Sequence, residues 1–189
     1  MPRLFTALEV PPDVARQLAL FRGGVSGARW IEPADHHITL RFLGDVDRHV
    51  ASAAYEDLAQ TGAGPITIAL DALSSFGGDK PRAIFARVQP NPALVALQGE
   101  HERLMRRLGL PSEPRKFVPH VTLARMRDVS PTEVAYYLAS CAIVRPITFT
   151  ARRFGLFSSR DSVGGGPYVL EASYPLEQMS GVSYGHGSR

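Results

Sequence analysis

The spacing of hydrophobic positions changes several times along the chain, and each change marks a predicted element. Residues 36–43 alternate apolar and polar side chains with the period of two that is typical of strands, and residues 3–10 tend toward the same pattern. Residues 47–60 and 91–108 repeat apolar side chains every three or four positions, as one face of a helix does. The pattern predicts strands at 3–10, 36–43, 66–73, 83–88, 118–125, 146–157 and 168–176, and helices at 11–21, 47–60, 91–108 and 130–141.

Proline, glycine and small polar residues mark where these elements begin and end. Asn91 and Pro92 form a predicted cap and first turn for the third helix. Ser130, Pro131 and Glu133 match a capping box for the fourth helix. The stretch SSFGGDKPR is rich in turn-forming residues, so the strands on either side of it are predicted to pair.

The periodic segments end near Glu177. Residues 1–177 therefore form one predicted domain, of ordinary size for a single core. Within it, glycines 164–166 favour a hairpin turn over an anion-binding nest. Residues 178–189 have no periodic apolar face, which predicts a flexible C-terminal tail.

Composition and charge narrow the class of protein. No apolar run approaches the ~20 residues that cross a bilayer, and the N-terminus lacks the features of a signal peptide, which predicts a cytoplasmic protein without a membrane partner. The single cysteine, Cys141, excludes an internal disulfide framework and a cysteine-based metal cluster. The 21 Lys and Arg residues exceed the 18 Asp and Glu residues, and this mildly basic balance favours polyanionic partners.

The tetrapeptide pattern His-x-Thr-Leu occurs twice, beginning at His37 and at His120, and each copy falls on a predicted strand. Because side chains alternate across a strand, His37 and Thr39 share one face, as do His120 and Thr122, while the residues between them face the core. Two such strands placed face to face across a cleft would surround one small anion with two imidazoles and two hydroxyls. The duplication therefore predicts a catalytic site for a phosphate group.

The other histidines and the residues after each motif have simpler interpretations. His36, His49, His101 and His186 lack the paired threonine and are interpreted as hydrogen-bonded or surface residues. Strict alternation places Arg41 on the face of His37, as a rival phosphate contact, and places Phe42 in the core. It also directs Arg125 away from His120, unless a strand end, a strong twist or a β-bulge intervenes.

The chain resembles the bacterial RNA 2′,3′-cyclic phosphodiesterases of the two-histidine (2H) phosphoesterase superfamily, historically called 2′-5′ RNA ligases. The resemblance is carried by RLFTALEVP, RWIEPADHHITLRFLGDV, KFVPHVTLAR and SSRDSVGGGPYVLEASYPL. It implies an α+β, bilobal fold in which two pseudo-symmetric antiparallel sheets with outer helices enclose a central cleft. It also implies RNA with 2′,3′-cyclic phosphate ends, or cyclic nucleotides, as substrates, and a 2′-phosphate as product.

Hydrolysis of a cyclic phosphodiester needs a base that activates water and an acid that protonates the departing oxygen, and two histidines serve both roles near neutral pH. The resemblance assigns His37 as proton donor and His120 as proton acceptor. Thr39 and Thr122 are predicted to donate hydrogen bonds to the phosphate oxygens. Arg125 is the third predicted phosphate contact, by resemblance, with a surface role as its alternative. No cofactor, metal or obligatory protein partner is expected, and a monomer is expected.

Three other functions stay open at this point. The resemblance allows ligase or phosphodiesterase activity at 2′-5′ linkages. A non-catalytic module that binds RNA ends is disfavoured, because arginine and lysine would serve phosphate binding better than paired histidines. A metal-dependent hydrolase is disfavoured because no close His/Asp/Glu spacing accompanies the two motifs, and Cys141 is interpreted as a buried thiol rather than a nucleophile.

Overall fold

The strands of the protein form one antiparallel sheet built from two similar halves. The computed structural model describes residues 3–159 and 167–177. Its elements, in chain order, are β1 (Arg3–Glu9), α1 (Pro12–Ala19), β2 (Arg29–Trp30), a single 3-10 turn (Pro33–Asp35), β3 (His37–Asp45), α2 (Arg48–Leu58), β4 (Ile66–Phe76), β5 (Ala83–Val88), α3 (Pro92–Arg107), β6 (His120–Arg125), α4 (Pro131–Ser140), β7 (Ile147–Ala151), β8 (Arg153–Ser159) and β9 (Tyr168–Pro175).

The strand order is β7-β4-β5-β6-β3-β1-β8-β9, with β2 added beside β6. Each half contributes four strands, and the halves meet where β6 lies against β3. In the described part of the chain, one residue pair, Ile38 with Val121, joins these two strands. The predicted α+β architecture of two pseudo-symmetric antiparallel sheets is therefore confirmed, with the sheets in contact at their inner edges.

The prediction of one strand at 146–157 is wrong, because this segment forms two strands in different halves. Strand β7 pairs with β4 on one outer edge, whereas β8 pairs with β1 in the other half. The chain changes halves at Arg152, which is outside both strands. Hydrophobic periodicity continues through both strands, so sequence pattern alone does not reveal the crossing.

The helix caps agree with the sequence at one predicted position and differ at another. Asn91 accepts a hydrogen bond from the Leu94 amide at 3.0 Å, as a cap of α3 should. The predicted capping box of α4 is wrong. Ser130 makes no side-chain cap bond, and the Glu133 carboxylate instead accepts from the backbone amide of Ser26 at 2.6 Å. Glu133 thus joins α4 to the segment before β2.

A β-bulge follows the threonine in each motif strand. On β3, Thr6 lies opposite Arg41 but Ala7 lies opposite Thr39, so Leu40 is the extra residue. On β6, Leu123 is the extra residue in the pairing with β5. Both strands consequently show the same burial sequence over six residues: half-buried, buried, half-buried, buried, buried, exposed. The bulges reverse the alternation of side chains beyond each threonine.

The helices cover the face of the sheet that is opposite the paired His and Thr residues. Ile38, Leu40, Val121 and Leu123 are buried in the largest apolar cluster, which also contains side chains from α1, α2 and α3. A smaller cluster joins α4 to β5 and β6. This packing leaves the polar face of β3 and β6 uncovered by helices, which is where a substrate would bind.

None of the helices in the described ranges is both long and apolar enough to cross a membrane. Glycines 164–166 and the predicted tail at 178–189 lie outside the described residues, and the assignment of residues 1–177 to a single domain stays a prediction.

Thr6 and His101 form a buried polar pair inside the core. The Thr6 hydroxyl lies 2.9 Å from Nδ1 of His101, and both residues are fully buried. The hydrogen-bonded role predicted for His101 is thus confirmed. Burial lowers the pKa of His101 to about 3. Because an unfolded histidine titrates near pH 6.5, the unfolded state binds a proton between these values that the folded state does not bind.

We therefore expect the free energy of unfolding to fall as the pH is lowered from about 6.5 toward 3, with His101 contributing about 1.4 kcal/mol per pH unit. Denaturant unfolding near neutral pH and about two units lower would measure the loss. The apolar variant Thr6→Val/His101→Leu should lose about 2 to 3 kcal/mol less over this interval, whereas His49→Leu, at an exposed site on α2, should behave like wild type. Equal losses in all three proteins would contradict the assignment.

Candidate active site

A pseudo-twofold axis passes through the pair Ile38–Val121 and relates the two motifs. Because β3 and β6 are antiparallel with these residues opposite each other, the register places His37 beside Thr122 and Thr39 beside His120. Strands β3 and β6 thus bring the two motifs together as neighbours in one sheet, whereas the sequence predicted two strands facing each other across a cleft. The physical consequence is the one expected: both imidazoles and both hydroxyls occupy one face.

These four side chains line a cleft with a volume of about 510 Å³. The remaining wall is basic and aromatic, with a few polar and small residues: Leu40, Arg41, Phe42, Phe76, Gly77, Arg82, Ala83, Gln98, Glu113, Arg115, Lys116, Phe117, Val118 and Arg125. A larger and more apolar hollow, of about 660 Å³, lies between α4 and the segment that follows α1, and it contains no motif residue. The chemistry therefore belongs to the smaller cleft.

The two imidazoles are oriented in the same way. Nδ1 of His37 lies 2.7 Å from the Asp35 carbonyl, and Nδ1 of His120 lies 2.7 Å from the Val118 carbonyl. A carbonyl only accepts hydrogen bonds, so each Nδ1 carries a proton and donates it. In the neutral rings Nε2 is then the nitrogen with a lone pair, and it is the one left for a ligand in the cleft. This tautomer suits both proton acceptance and, after protonation, proton donation.

Aromatic rings fix the plane of each imidazole. The ring of His37 lies 5.1 Å from that of Phe5 and 4.9 Å from that of Tyr168. The ring of His120 lies 4.8 Å from Phe76 and 5.1 Å from Phe85. Together with the carbonyl contacts, these neighbours leave each imidazole little freedom to rotate, as an aligned acid or base requires.

The pKa of His37 is lowered to about 4: burial against these rings is the largest cause, the charges of His120 and Arg125 act in the same direction, and the hydrogen bond to the Asp35 carbonyl opposes them. Burial, and then the charge of Arg125, also lower the pKa of His120. Both imidazoles are therefore neutral in the free protein at neutral pH. An anion bound between them would raise both pKa values, because it favours the protonated form of each ring.

The bulges decide which residues after the motifs reach the cleft. Arg125 is exposed and lines the cleft because the extra residue Leu123 reverses the alternation. Phe42 occupies the pseudo-symmetric position on β3; it is 44% exposed and also lines the cleft. The prediction that Phe42 belongs to the core is wrong, since it assumed an unbroken strand. At this pseudo-symmetric position the cleft thus has a cation on β6 and an aromatic ring on β3.

The same bulge overturns the role considered for Arg41. Its side chain is only 5% exposed and is bonded to the Glu102 carboxylate and to the backbone carbonyls of Phe42 and Pro111. Although Arg41 borders the cleft, its guanidinium is engaged with protein groups. Arg125, rather than Arg41, is the arginine available on the site face of the motif strands.

Sequence reasoning missed several cleft residues that come from connecting segments. Phe76 and Arg82 flank the hairpin turn between β4 and β5, and Lys116 and Phe117 precede β6. Only the last two had a usable signal, because they are part of KFVPHVTLAR beside the second motif. The hairpin residues reach the cleft through tertiary structure alone.

Over residues 3–159 and 167–177, no three His, Cys, Asp or Glu side chains come together in a way that could hold a metal ion. Cys141 lies at the end of α4, outside the cleft, and is half-buried.

The combination of duplicated His-x-Thr strands, one cleft and an antiparallel sheet of two halves defines a two-histidine phosphoesterase. The model of the LigT-like phosphoesterases matches residues 8–85 and 87–168. The chain belongs to this family.

Curated relatives named RNA 2′,3′-cyclic phosphodiesterase come from bacteria and archaea. The Bacillus subtilis protein is 28% identical over 165 residues, which cover 82% of this chain and 87% of the relative. The Archaeoglobus fulgidus protein is 28% identical over 163 residues, covering 84% and 87%. The Geobacillus stearothermophilus protein is 31% identical over 128 residues, which cover 64% of this chain but only 41% of that longer relative.

Solved structures show the same fold. A crystal structure described as a phosphoesterase superposes with a TM-score of 0.77 at 23% identity, covering 94% of this chain and 100% of that one. Escherichia coli LigT in complex with 3′-AMP superposes with a TM-score of 0.75 at 24% identity, covering 93% and 99%.

Proposed function

We propose that the protein hydrolyses 2′,3′-cyclic phosphates at RNA ends to 2′-phosphates, with His37 as proton donor and His120 as proton acceptor. The observation that carries this proposal is the pair of equivalent imidazoles in one cleft, each with Nδ1 held by a carbonyl two residues earlier. The names of the curated relatives support the choice of substrate.

Each histidine would perform one proton transfer. Nε2 of His120 accepts a proton from water as its oxygen attacks phosphorus, and Nε2 of His37 donates a proton to the 3′ oxygen as the bond from phosphorus to O3′ breaks. The products are a 3′ hydroxyl and a 2′-phosphate, and one water molecule is consumed. The pseudo-twofold makes the two rings geometrically alike, so the assignment of acid and base rests on the family resemblance.

The remaining site residues would stabilise the charge that develops on phosphate. Thr39 and Thr122 lie on the same face as the imidazoles and would donate hydroxyl hydrogen bonds to the non-bridging oxygens. Arg125 would add a positive charge from the end of β6. Phe42, on the opposite side, offers an aromatic face suited to packing against a base or sugar.

The regiochemistry of the product tests the proposal. Purified protein should convert each nucleoside 2′,3′-cyclic monophosphate to the nucleoside 2′-phosphate in the presence of a chelator, because imidazoles supply both proton transfers. Product separation and phosphorus NMR would identify the isomer. A 3′-phosphate would reverse the roles of the histidines, activity lost in chelator would indicate a metal-dependent hydrolase, and binding without turnover would indicate a non-catalytic RNA-end module.

Removal of either hydroxyl should slow the reaction without changing its pH dependence. Thr39→Val and Thr122→Val keep the shape of the side chain but delete one hydrogen bond to the charged phosphate, and each should lower kcat/KM by about 10-fold to 100-fold. The pH profile should keep both limbs, since no titrating group is removed. Thr67→Val, at an exposed position on β4 away from the cleft, is the matched control. Wild-type rates in both cleft variants would remove the threonines from the site.

A further inference from the structure

The connection between α3 and β6 forms one side of the cleft. We call residues 113–118 the wall segment; all of them except Pro114 line the cleft. Arg115 and Lys116 are exposed and bring positive charge to the cleft. Nε of Arg115 donates to the Glu113 carboxylate at 3.0 Å, but the Arg115 side chain stays 81% exposed. Arg82 faces the same cavity from the β4–β5 hairpin. The wall segment has no helical or strand structure of its own, so its position depends on contacts to its neighbours.

An ion pair between the buried Arg41 and the half-buried Glu102 supplies such contacts. The guanidinium of Arg41, on the His37 strand, bonds to the Glu102 carboxylate of α3 and donates to the Pro111 carbonyl just before the wall segment. The other carboxylate oxygen of Glu102 accepts from the backbone amide of Glu113 at 3.3 Å. Arg41 and Glu102 thus link β3 and α3 to the wall segment, through the Pro111 carbonyl that precedes it and the backbone amide of its first residue, Glu113.

The fold itself does not require an ion pair at this position. The pseudo-symmetric counterpart of Arg41 on β6 is Ala124, a fully buried apolar residue at the same place in the bulge. Burying an arginine and a glutamate costs free energy of desolvation that an apolar pair would avoid. What distinguishes the two halves here is the wall segment, which the Arg41–Glu102 pair contacts directly.

We infer that Arg41 and Glu102 are positioning residues that hold the wall segment so that Arg115 and Lys116 bind the RNA backbone upstream of the terminal cyclic phosphate. This inference rests on the proposed function and extends it from the reacting phosphate to the preceding nucleotides. A guanidinium and an ammonium at the cleft edge suit phosphodiester oxygens of a single strand. A cyclic mononucleotide has no such phosphates, so it should be insensitive to these two charges.

The test compares a cyclic mononucleotide with a hexanucleotide that ends in a 2′,3′-cyclic phosphate. In Arg41→Met/Glu102→Met, which replaces the ion pair by apolar side chains, the ratio of the hexanucleotide KM to the mononucleotide KM should rise about 10-fold. The slope of log KM against log salt for the hexanucleotide should shrink by about 0.7 for each phosphate that the variant no longer neutralises. An unchanged ratio and slope would overturn the inference.

Three further variants keep the test decisive. Arg115→Gln/Lys116→Gln should reproduce both changes without touching the ion pair, whereas Arg22→Met, which breaks the exposed pair of Arg22 with Glu32, should resemble wild type. If the double methionine variant does not fold, Arg41→Lys keeps the charge but lacks the fork that also reaches the Pro111 carbonyl, and it should raise the same ratio. A normal ratio in the folded variants would contradict the inference.

Trypsin gives a measurement that is independent of turnover. Cleavage after Arg115 and Lys116, followed by mass spectrometry, should be several-fold faster in Arg41→Met/Glu102→Met than in wild type, because the wall segment is no longer anchored. If wild type opens neither substrate, the proposed function fails while faster cleavage still supports the anchoring role. Unchanged cleavage at these two sites would contradict that role whatever the activity.

Discussion

His37→Ala and His120→Ala should each lower kcat/KM for a 2′,3′-cyclic nucleotide by about 100-fold to 10,000-fold. Each substitution removes the imidazole that serves one of the two proton transfers, and the rings occupy equivalent positions about the Ile38–Val121 pair. The double variant should be only slightly worse than either single variant, because the two groups act in one step. Steady-state kinetics in the presence of a chelator would measure these effects.

His49→Ala is the matched control, since His49 is an exposed histidine on α2 away from the cleft. It should retain wild-type kinetics. The melting temperatures of the cleft variants should stay close to that of wild type at neutral pH, because both histidines are neutral there and half-buried. Near wild-type turnover by either cleft variant would exclude that histidine from the reaction.

The second largest expected effect is the change of kcat/KM with pH. Sequence alone predicts a bell centred near neutrality, the ordinary range of imidazole. In the structure, burial lowers the pKa of both His37 and His120, so we expect the bell for kcat/KM, which reports the free enzyme, to have its maximum below pH 6.5. At pH 8.5 kcat/KM should be at least about 100-fold below its maximum, because the rate falls tenfold per pH unit above the upper pKa, which lies below 6.5.

Bound substrate shifts the pKa values of the two histidines in the opposite direction, upward. The cyclic phosphate carries a negative charge between the two rings, which favours the imidazolium form and raises both pKa values. The bell for kcat should therefore lie at higher pH than the bell for kcat/KM. The limbs belong to the coupled pair rather than to individual histidines. Rates measured between about pH 4 and 9 would show both profiles, and a flat kcat/KM profile in chelator would contradict paired acid–base catalysis.

Removing the positive charge of Arg125 should move the bell back toward neutral pH. Arg125 contributes to the low pKa of both histidines, so Arg125→Met should shift the kcat/KM maximum to higher pH even as it weakens phosphate binding. Arg127→Met offers a nearby control, because Arg127 is exposed but does not line the cleft. The shift separates an electrostatic role of Arg125 from a purely structural one, which would leave the maximum in place.

Much of the candidate site could be predicted from the sequence because the relevant physics is local. Side-chain alternation along a strand places His37 with Thr39 and His120 with Thr122, whatever else the chain does. The duplication of the motif then indicates that two similar strands serve one function. The positions of the helices followed from apolar periodicity and caps, and nearly all predicted elements are present within a few residues of their predicted bounds.

The residues immediately beyond each motif were decided by tertiary structure. Whether Arg41, Phe42 or Arg125 faces the cleft depends on bulges at Leu40 and Leu123, and a bulge is a property of the pairing between two strands. The neighbouring strands are β1 and β5, whose register is set by the packing of the whole sheet. The sequences of β3 and β6 themselves do not predict this register.

The sequence by itself determined the chemical groups of this protein, their pairing along each strand, and which segments form helices and which form strands, because these follow from the side-chain types and from periods of two and 3.6 residues. The α+β class was implied by the family resemblance. Only the tertiary structure decided that the strand predicted at 146–157 divides between two half-sheets, that Arg41 is buried against Glu102 on α3, and that the wall segment completes the cleft. Each of these depends on contacts between residues far apart in the chain, which local periodicity does not encode.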